Sequence, residues 1–304
     1  MKKLMIPFLL LLLVLLSACG NEAAEEKGAD KKEEKSTITY ESESGPVEVP
    51  ADPKRVIVLS SFAGNVMALD TKLVGVDSWS KMNPRYEGLE GVEEVTDDNL
   101  EKIIELNPDL IIGLSNIKNI DKLKEIAPTV TYTYGKVDYL TQHLEIGKLL
   151  NKEKEAQAWI DDFKNRAQTA GEDIKAKIGE DATVSVIENF DKQLYVFGDN
   201  WARGTEILYQ EMKLKMPEKV TEMALKDGFY AISAEVLPEY AGDYMIFSKN
   251  SDGDTSFQET ETYKNIPAVK NNQVFEANAK EFYFNDPISL DYQLEFFKKS
   301  FLEN

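Results

Sequence analysis

From Asp138 to Ile178 the chain carries helical spacing with almost no break, and this stretch divides everything around it. Ile146, Leu149, Leu150, Trp159 and Phe163 recur as one apolar stripe, which predicts a buried helical face. Gly147 and the Asn151-Lys152 pair offer places to split it into two helices. On both sides, short apolar runs alternate with helical ones. Ahead of it, Ser36 to Val49 reads as a hairpin around Gly45-Pro46. Arg55–Leu59, Leu73–Val76, Pro108–Ile112 and Thr129–Tyr132 read as strands. Phe62–Leu69, Leu100–Leu106 and Ile120–Ile126 read as helices, the second with Asp97, Asp98 and Asn99 as capping candidates. Beyond it, Thr183–Ile187, Gln193–Phe197, Tyr244–Phe247 and Val274–Ala277 read as strands, the first two separated by a turn near Asp191. Gly204–Tyr209, Ser233–Leu237 and Ile288–Phe301 read as helices. Alternation of this kind predicts mainly parallel, two-faced sheets. The expected architecture is α/β: one lobe over residues 38–137, a helical connector over 138–180, and a second lobe over 181–304. Ligands favour the cleft between two such lobes.

The N-terminus has its own grammar. Lys2 and Lys3 precede an apolar run from Leu4 to Leu16, and Leu16-Ser17-Ala18-Cys19 follows. A basic start, a short apolar core and small residues before a cleavage point describe a secretory signal over residues 1–18. The run is short for a transmembrane helix, which needs about 20 residues. The Leu-Ser-Ala-Cys pattern resembles the bacterial lipobox, in which the cysteine is diacylated and becomes the new N-terminus. Two acyl chains supply the two signals that stable anchoring needs. Residues 19–37 are rich in Glu, Lys and Ala and lack large apolar side chains. They read as a tether lifting the body off the outer face of the cell membrane.

Cys19 is the one cysteine, so no disulfide framework holds the exported body together. The formal net charge of −19 argues against nucleic acid and against anionic headgroups as partners. A single histidine, His143, is expected to face solvent from its helix. One histidine and one lipidated cysteine cannot assemble a His-rich metal site or a Cys–His dyad. A Ser–His–Asp triad would have to run through His143, and no Gly-x-Ser-x-Gly elbow supports one. No Gly-x-Gly-x-x-Gly or Walker loop is present. Paired carboxylates of a glycosidase stay open, because acids are everywhere.

Several segments carry a resemblance: Pro53-Lys54-Arg55-Val-Ile-Val; Asn107-Pro108-Asp109-Leu110-Ile111-Ile112; Ala127-Pro128-Thr129-Val130; Gly198-Asp199-Asn200-Trp201-Ala202-Arg203-Gly204; Tyr240-Ala241-Gly242-Asp243-Tyr244; and Phe282-Tyr283-Phe284-Asn285-Asp286-Pro287. Together they resemble the iron–siderophore solute-binding lipoproteins of ABC importers, most of all the ferric hydroxamate binders of Gram-positive bacteria. The resemblance implies a periplasmic-binding-protein-like fold of the helical-backbone type, with a rigid connecting helix, small hinge motion and a shallow aromatic cleft. It places Tyr134 from the first lobe, and Tyr195, Trp201, Arg203 and Tyr283 from the second, against the ligand. Tyr283 stands where relatives often have tryptophan, and Leu114 where some have an aromatic residue. Glu101 and Glu235 match the acids that pair with arginines of the permease. The expected role is delivery of a ferric hydroxamate to that permease by a monomer. It is binding rather than catalysis.

The chemistry suits those residues. A hexadentate siderophore already fills the coordination sphere of iron(III), so the protein needs no metal ligands and no cofactor. It must read carbonyl and N–O oxygens and apolar linkers on the outside of the complex. Arginine offers planar donors that stay charged, and aromatic rings offer flat apolar faces with polar edges. Ferric triscatecholates are trianionic, and this chain has only Arg55, Arg85, Arg166 and Arg203. An acidic body opposes a trianion. Ferrichrome and ferrioxamine types both fit. The rival readings are another iron chelate, catecholate or haem, and, from a different class, a surface-anchored hydrolase.

Overall fold

The computed structural model describes residues 36–303, so Cys19, the signal over 1–18 and nearly all of the 19–37 tether lie outside the described residues. Strands β1 (Thr37–Ser42) and β2 (Gly45–Pro50) form the expected antiparallel hairpin, with Gly45 at φ 105°. Next come β3 (Val56–Val58), α1 (Ala63–Ala68), β4 (Leu73–Val76), α2 (Ser78–Met82), β5 (Glu93–Glu94), α3 (Leu100–Glu105), β6 (Leu110–Leu114), α4 (Ile120–Ile126) and β7 (Thr129–Tyr132). Their sheet has the order β5-β4-β3-β6-β7 and every pair in it is parallel. Val56, Ile57, Val58, Leu110, Ile111 and Ile112 are fully buried, as strands covered on both faces require.

The connector is two helices, α5 (Tyr139–Leu149) and α6 (Glu153–Ile178). Asp138 caps α5 by accepting the N–H groups of Leu140 and Thr141, both at 3.0 Å. The break falls at Asn151, which takes φ 57°. Gly147 does not interrupt the helix. It lets α5 approach α6, because a Cβ there would lie 2.5 Å from that of Ala156. The 26 residues of α6 span about 39 Å. Among the described residues, no helix is long and apolar enough to cross a membrane.

The second lobe runs through β8 (Val184–Phe190), β9 (Gln193–Phe197), a single π-helical segment at Glu206–Glu211, α7 (Glu218–Ala224), β10 (Phe229–Ile232), α8 (Leu237–Tyr240), β11 (Tyr244–Lys249), α9 (Glu261–Lys264), α10 (Pro267–Lys270), β12 (Val274–Asn278), α11 (Ala279–Phe282) and α12 (Pro287–Leu302). Its sheet order is β10-β9-β8-β11-β12. Here β8, β11 and β12 are parallel while β9 runs against both of its neighbours. The two-residue link at Asp191-Lys192, with Asp191 at φ 53°, permits only a hairpin, since a parallel crossover needs a dozen residues or more.

Two expectations are corrected. His143 does not face solvent. It is 1% exposed, its Nδ1 lies 3.1 Å from Asn65 Oδ1, and its ring meets Trp159 edge-on. The side of α5 that carries it packs against α1 and α6, so the helix has more than one buried face. Ala234–Val236 is a turn rather than the start of a helix, and α8 begins at Leu237, followed by Pro238 in its first turn.

The closing helix crosses between the two cores. Phe284 packs with the first-lobe core, whereas Leu290, Leu294 and Phe297 pack with the second.

Candidate functional site

The cleft is built from loops at strand ends. On the first lobe, Ser60 and Ser61 follow β3, Asp77 and Trp79 follow β4, and Tyr134 follows β7. These are the carboxyl ends of parallel strands, where open α/β sheets hold ligands. On the second lobe, Trp201 follows β9 and Tyr283 follows α11. Together with Phe284 and Asn285 they enclose a cavity of about 240 Å³. A second cavity of about 840 Å³ adjoins it and shares Ser61, Tyr134 and Asn285.

Rings from opposite lobes meet across this space. Tyr134 contacts Trp201 edge-to-face at 5.6 Å, and Trp79 contacts Tyr283 at 5.4 Å. Trp79 is 46% exposed, Tyr134 44% and Trp201 37%. Large aromatic side chains left this open in a well-packed molecule mark a binding surface. The phenols of Tyr134 and Tyr283 are each pushed up to about 12, first by loss of solvation in the cleft. Both are protonated at neutral pH and can donate a hydrogen bond.

Arg203 is the cation packed against the Tyr283 ring, and it is already paired; Lys136, Lys164 and Lys213 line the larger cavity. Its Nη2 lies 2.9 Å from Glu188 Oε1 and its Nε 3.2 Å from Oε2, a two-point contact. Glu188, 1% exposed on β8, also accepts the Ser248 hydroxyl at 2.6 Å. The guanidinium lies between two rings, 4.8 Å from the centre of Phe197 and 4.9 Å from that of Tyr283. Nη1 donates to the Trp201 carbonyl at 3.3 Å. Five N–H bonds radiate from a guanidinium, and these three contacts leave donors for a ligand oxygen. The pair carries no net charge.

The loop holding Trp201 and Arg203 is strained and stitched down. Ala202 and Arg203 take φ 55° and 60°, unusual for residues with a Cβ. The Arg203 N–H donates to the Phe282 carbonyl at 2.7 Å, and the Ala202 N–H to Glu206 Oε1 at 2.9 Å. Asn285 Nδ2 donates to the same Glu206 oxygen at 3.0 Å. Burial raises the Glu206 carboxyl above the ordinary carboxylate range, against these hydrogen bonds. A π-helical segment beginning at Glu206 puts this acid under the loop, and such bulges recur at functional sites.

Of the residues singled out from the sequence, Tyr134, Trp201 and Tyr283 line one cavity, and Arg203 lies against Tyr283. Tyr195 stands apart from that lining. It is half-buried on β9 with its ring on Phe229, which in turn meets Trp201 at 5.3 Å. Leu114 ends β6 and packs partly buried on the first-lobe core. Glu101 is exposed in the first turn of α3, which Asn99 caps, and Glu235 is exposed in the turn before α8. Trp79 was missed. Its signal was a tryptophan three residues past the strand Leu73–Val76, in a lobe whose other strand ends form the cleft. Among the described residues, no three His, Cys, Asp or Glu side chains are grouped to hold a metal ion. His143 has its pKa lowered to about 4 by burial, and its Nδ1 faces an amide rather than a serine hydroxyl. It is not placed as a catalytic base.

Two α/β lobes, a helical connector and an aromatic cleft with one neutralised arginine define a solute-binding protein. Residues 58–281 match the periplasmic binding protein family, and the chain belongs to that family. It is 38% identical over 301 residues to the iron(3+)-hydroxamate-binding protein FhuD of Bacillus subtilis (strain 168), covering 96% of this chain and 95% of that one. Identity to the iron(3+)-hydroxamate-binding protein YxeB of the same organism is 38% over 308 residues, covering 97% and 95%. Among solved structures, FhuD2 from Staphylococcus aureus with bound ferrioxamine B superposes with a TM-score of 0.78 at 34% identity, over 83% of this chain and 99% of that one. The family is one of binding proteins, not enzymes.

Proposed function

We propose that this chain captures ferric hydroxamate siderophores and delivers them to an ABC permease for iron uptake. The observation that carries the reading is the Arg203–Glu188 pair, whose guanidinium lies over the Tyr283 ring beside a cavity lined by Trp79, Tyr134, Trp201 and Tyr283. Donors for ligand oxygens sit in a wall without excess positive charge, which suits a neutral or singly charged complex and opposes a trianion. Protonated tyrosines read the outside of a chelate whose iron is already saturated. The smaller cavity lies below the roughly 300–1,000 Å³ of ordinary ligand pockets. Entry of a siderophore therefore parts the two cross-lobe ring pairs and extends toward the adjoining space. The relatives named for ferric hydroxamates support the same ligand class. Tyr195 acts from behind, by backing Phe229 and so Trp201.

The chain is anchored through Cys19 after loss of residues 1–18, on the outer face of the cell membrane, with residues 19–37 as tether. It works as a monomer. Glu101 and Glu235 meet the permease. Replacing both with alanine is expected to leave ligand affinity intact and to abolish uptake; an intact uptake rate overturns the docking role. Cys19→Ala is expected to move the protein from the membrane fraction to the medium.

The test of function is tryptophan fluorescence during titration with ferrioxamine B, ferrichrome, a ferric triscatecholate and haem. Saturable quenching by a hydroxamate, lost in Trp201→Ala and weakened in Arg203→Ala when binding is measured by calorimetry, is the expected result. Saturation by the catecholate or haem alone overturns the ligand class.

A further inference from the structure

The binding wall of the second lobe rests on a buried carboxylate, Asp286, that lines neither cavity. Asp286 is 1% exposed and caps α12, accepting the N–H groups of Ile288 at 3.0 Å and Ser289 at 3.2 Å and the Ser289 hydroxyl at 2.8 Å. Its remaining bond comes from the first lobe: the Tyr86 hydroxyl donates to Oδ2 at 2.6 Å. Beside it, Asn83 Nδ2 donates to the Ser289 hydroxyl oxygen at 3.1 Å. Gly64 of α1 lies so close that any Cβ there would collide with the Asp286 carboxylate. Two segments of the first lobe, α1 at Gly64 and the stretch 83–86 after α2, therefore converge on Asp286 and its neighbour Ser289.

The residues just before Asp286 are the ones the cleft uses. Phe284 is locked in the first-lobe core, its ring 5.3 Å from that of Tyr86. Tyr283 and Asn285 on either side of it line the cleft. From there the bonds run on: Asn285 to Glu206, Glu206 to the Ala202 N–H, and the Phe282 carbonyl to the Arg203 N–H. An unbroken series of short contacts leads from Tyr86 to the Trp201–Arg203 loop, whose left-handed backbone persists only while its surroundings fix it.

We infer that the Tyr86–Asp286 hydrogen bond sets the attitude of the second-lobe binding wall from the first lobe. Tyr86 and Asp286 are positioning residues. They fix Tyr283 through Phe284, which packs on Tyr86, and the Trp201–Arg203 loop through Asn285 and Glu206. The inference rests on the siderophore reading only for what the wall holds, not for how the wall is held.

The test compares Tyr86→Phe, which keeps the ring and its packing and removes one donor, with wild type as full chains without ligand. Asp286→Asn is a second route, because an amide has one acceptor oxygen and cannot both cap α12 and accept from Tyr86. Asp291→Asn is the control, because Asp291 ties α12 to Trp159 and Arg166 away from the cleft. Hydrogen exchange at the Ala202 and Arg203 amides is expected to quicken about tenfold in the first two variants and not in the control, with β8 and β11 unchanged. Affinity for ferrioxamine B is expected to fall about tenfold in Tyr86→Phe, but less than about twofold when Tyr283→Ala is already present, since coupled sites are not additive. Exchange unchanged in Tyr86→Phe and Asp286→Asn, or quickened equally by Asp291→Asn, overturns the inference. Wild-type protein that binds no hydroxamate overturns the ligand reading alone, and the exchange result still decides this one.

Discussion

The two walls of the cleft are made differently. The first lobe contributes Trp79 from the first turn of α2 and Tyr134 from the loop after β7, both beyond parallel strand ends. They are half open, and their partners are rings of the other lobe. The second lobe contributes Trp201 and Arg203 from a backbone in left-handed geometry, held by Glu188, Glu206 and the Phe282 carbonyl. One wall supplies apolar area that can shift with the ligand. The other holds a guanidinium in a fixed orientation, and under the proposed function less ordering would then be left to the binding step.

The sharpest way to break this asymmetry is Glu188→Ala. It strands a mostly buried guanidinium, and removing one partner of such a pair costs about 4 kcal/mol. Chemical denaturation is expected to show that loss, with ferrioxamine B affinity falling alongside it. An unchanged midpoint would mean that Arg203 swings into solvent and the wall is not preorganised.

The connector between the walls gives the next effect. Burial lowers His143 to about 4, from roughly 6.5 in an unfolded chain. The neutral form is favoured by folding, so its contribution is complete above pH 6.5 and is lost as pH falls toward 4. The shift corresponds to about 3 kcal/mol at the acid limit. His143→Gln is expected to flatten the stability difference between pH 7 and pH 4 by that order. A profile parallel to wild type would place the acid sensitivity elsewhere.

Smaller effects then separate the aromatic residues. Trp201→Ala, in the stitched wall, is expected to weaken ferrioxamine B binding by about 2 kcal/mol in calorimetry. Trp79→Ala, in the open wall, is expected to cost about 1 kcal/mol with the melting temperature unchanged. Equal losses at both positions would erase the distinction between the walls.

Much of this was legible in the chain. Thr129–Tyr132, Ile120–Ile126 and the Asn151 break between α5 and α6 fall where local pattern places them, because each is set by spacing and turn chemistry within a few residues. The Trp201-Ala-Arg-Gly loop was legible because glycine on both sides and a tryptophan between them leave little choice but an exposed turn. The reversal of β9 was within reach of the sequence, because a turn as short as the one near Asp191 can join only antiparallel strands, against the parallel pairing that the alternation elsewhere predicts. His143 was misread for a different reason. Helical spacing names one buried stripe, and only the packing of α5 against both α1 and α6 shows that there are two.

Amino-acid order by itself determined the two-lobe α/β plan, the helical connector, the lipobox-like start and the lack of a second cysteine or histidine for metal or disulfide chemistry. These follow from period, composition and count, which are local or global sums. Tertiary structure alone decided that Glu188 neutralises Arg203, that Trp79 joins the cleft, and that Asp286 receives Tyr86 from 200 positions away. The Trp79 and Asp286 contacts are made only when two folded lobes meet, and the Glu188–Arg203 pair only when β8 and the loop after β9 fold together. Their free energy depends on a few tenths of an ångström of approach, which no reading of spacing along one chain contains.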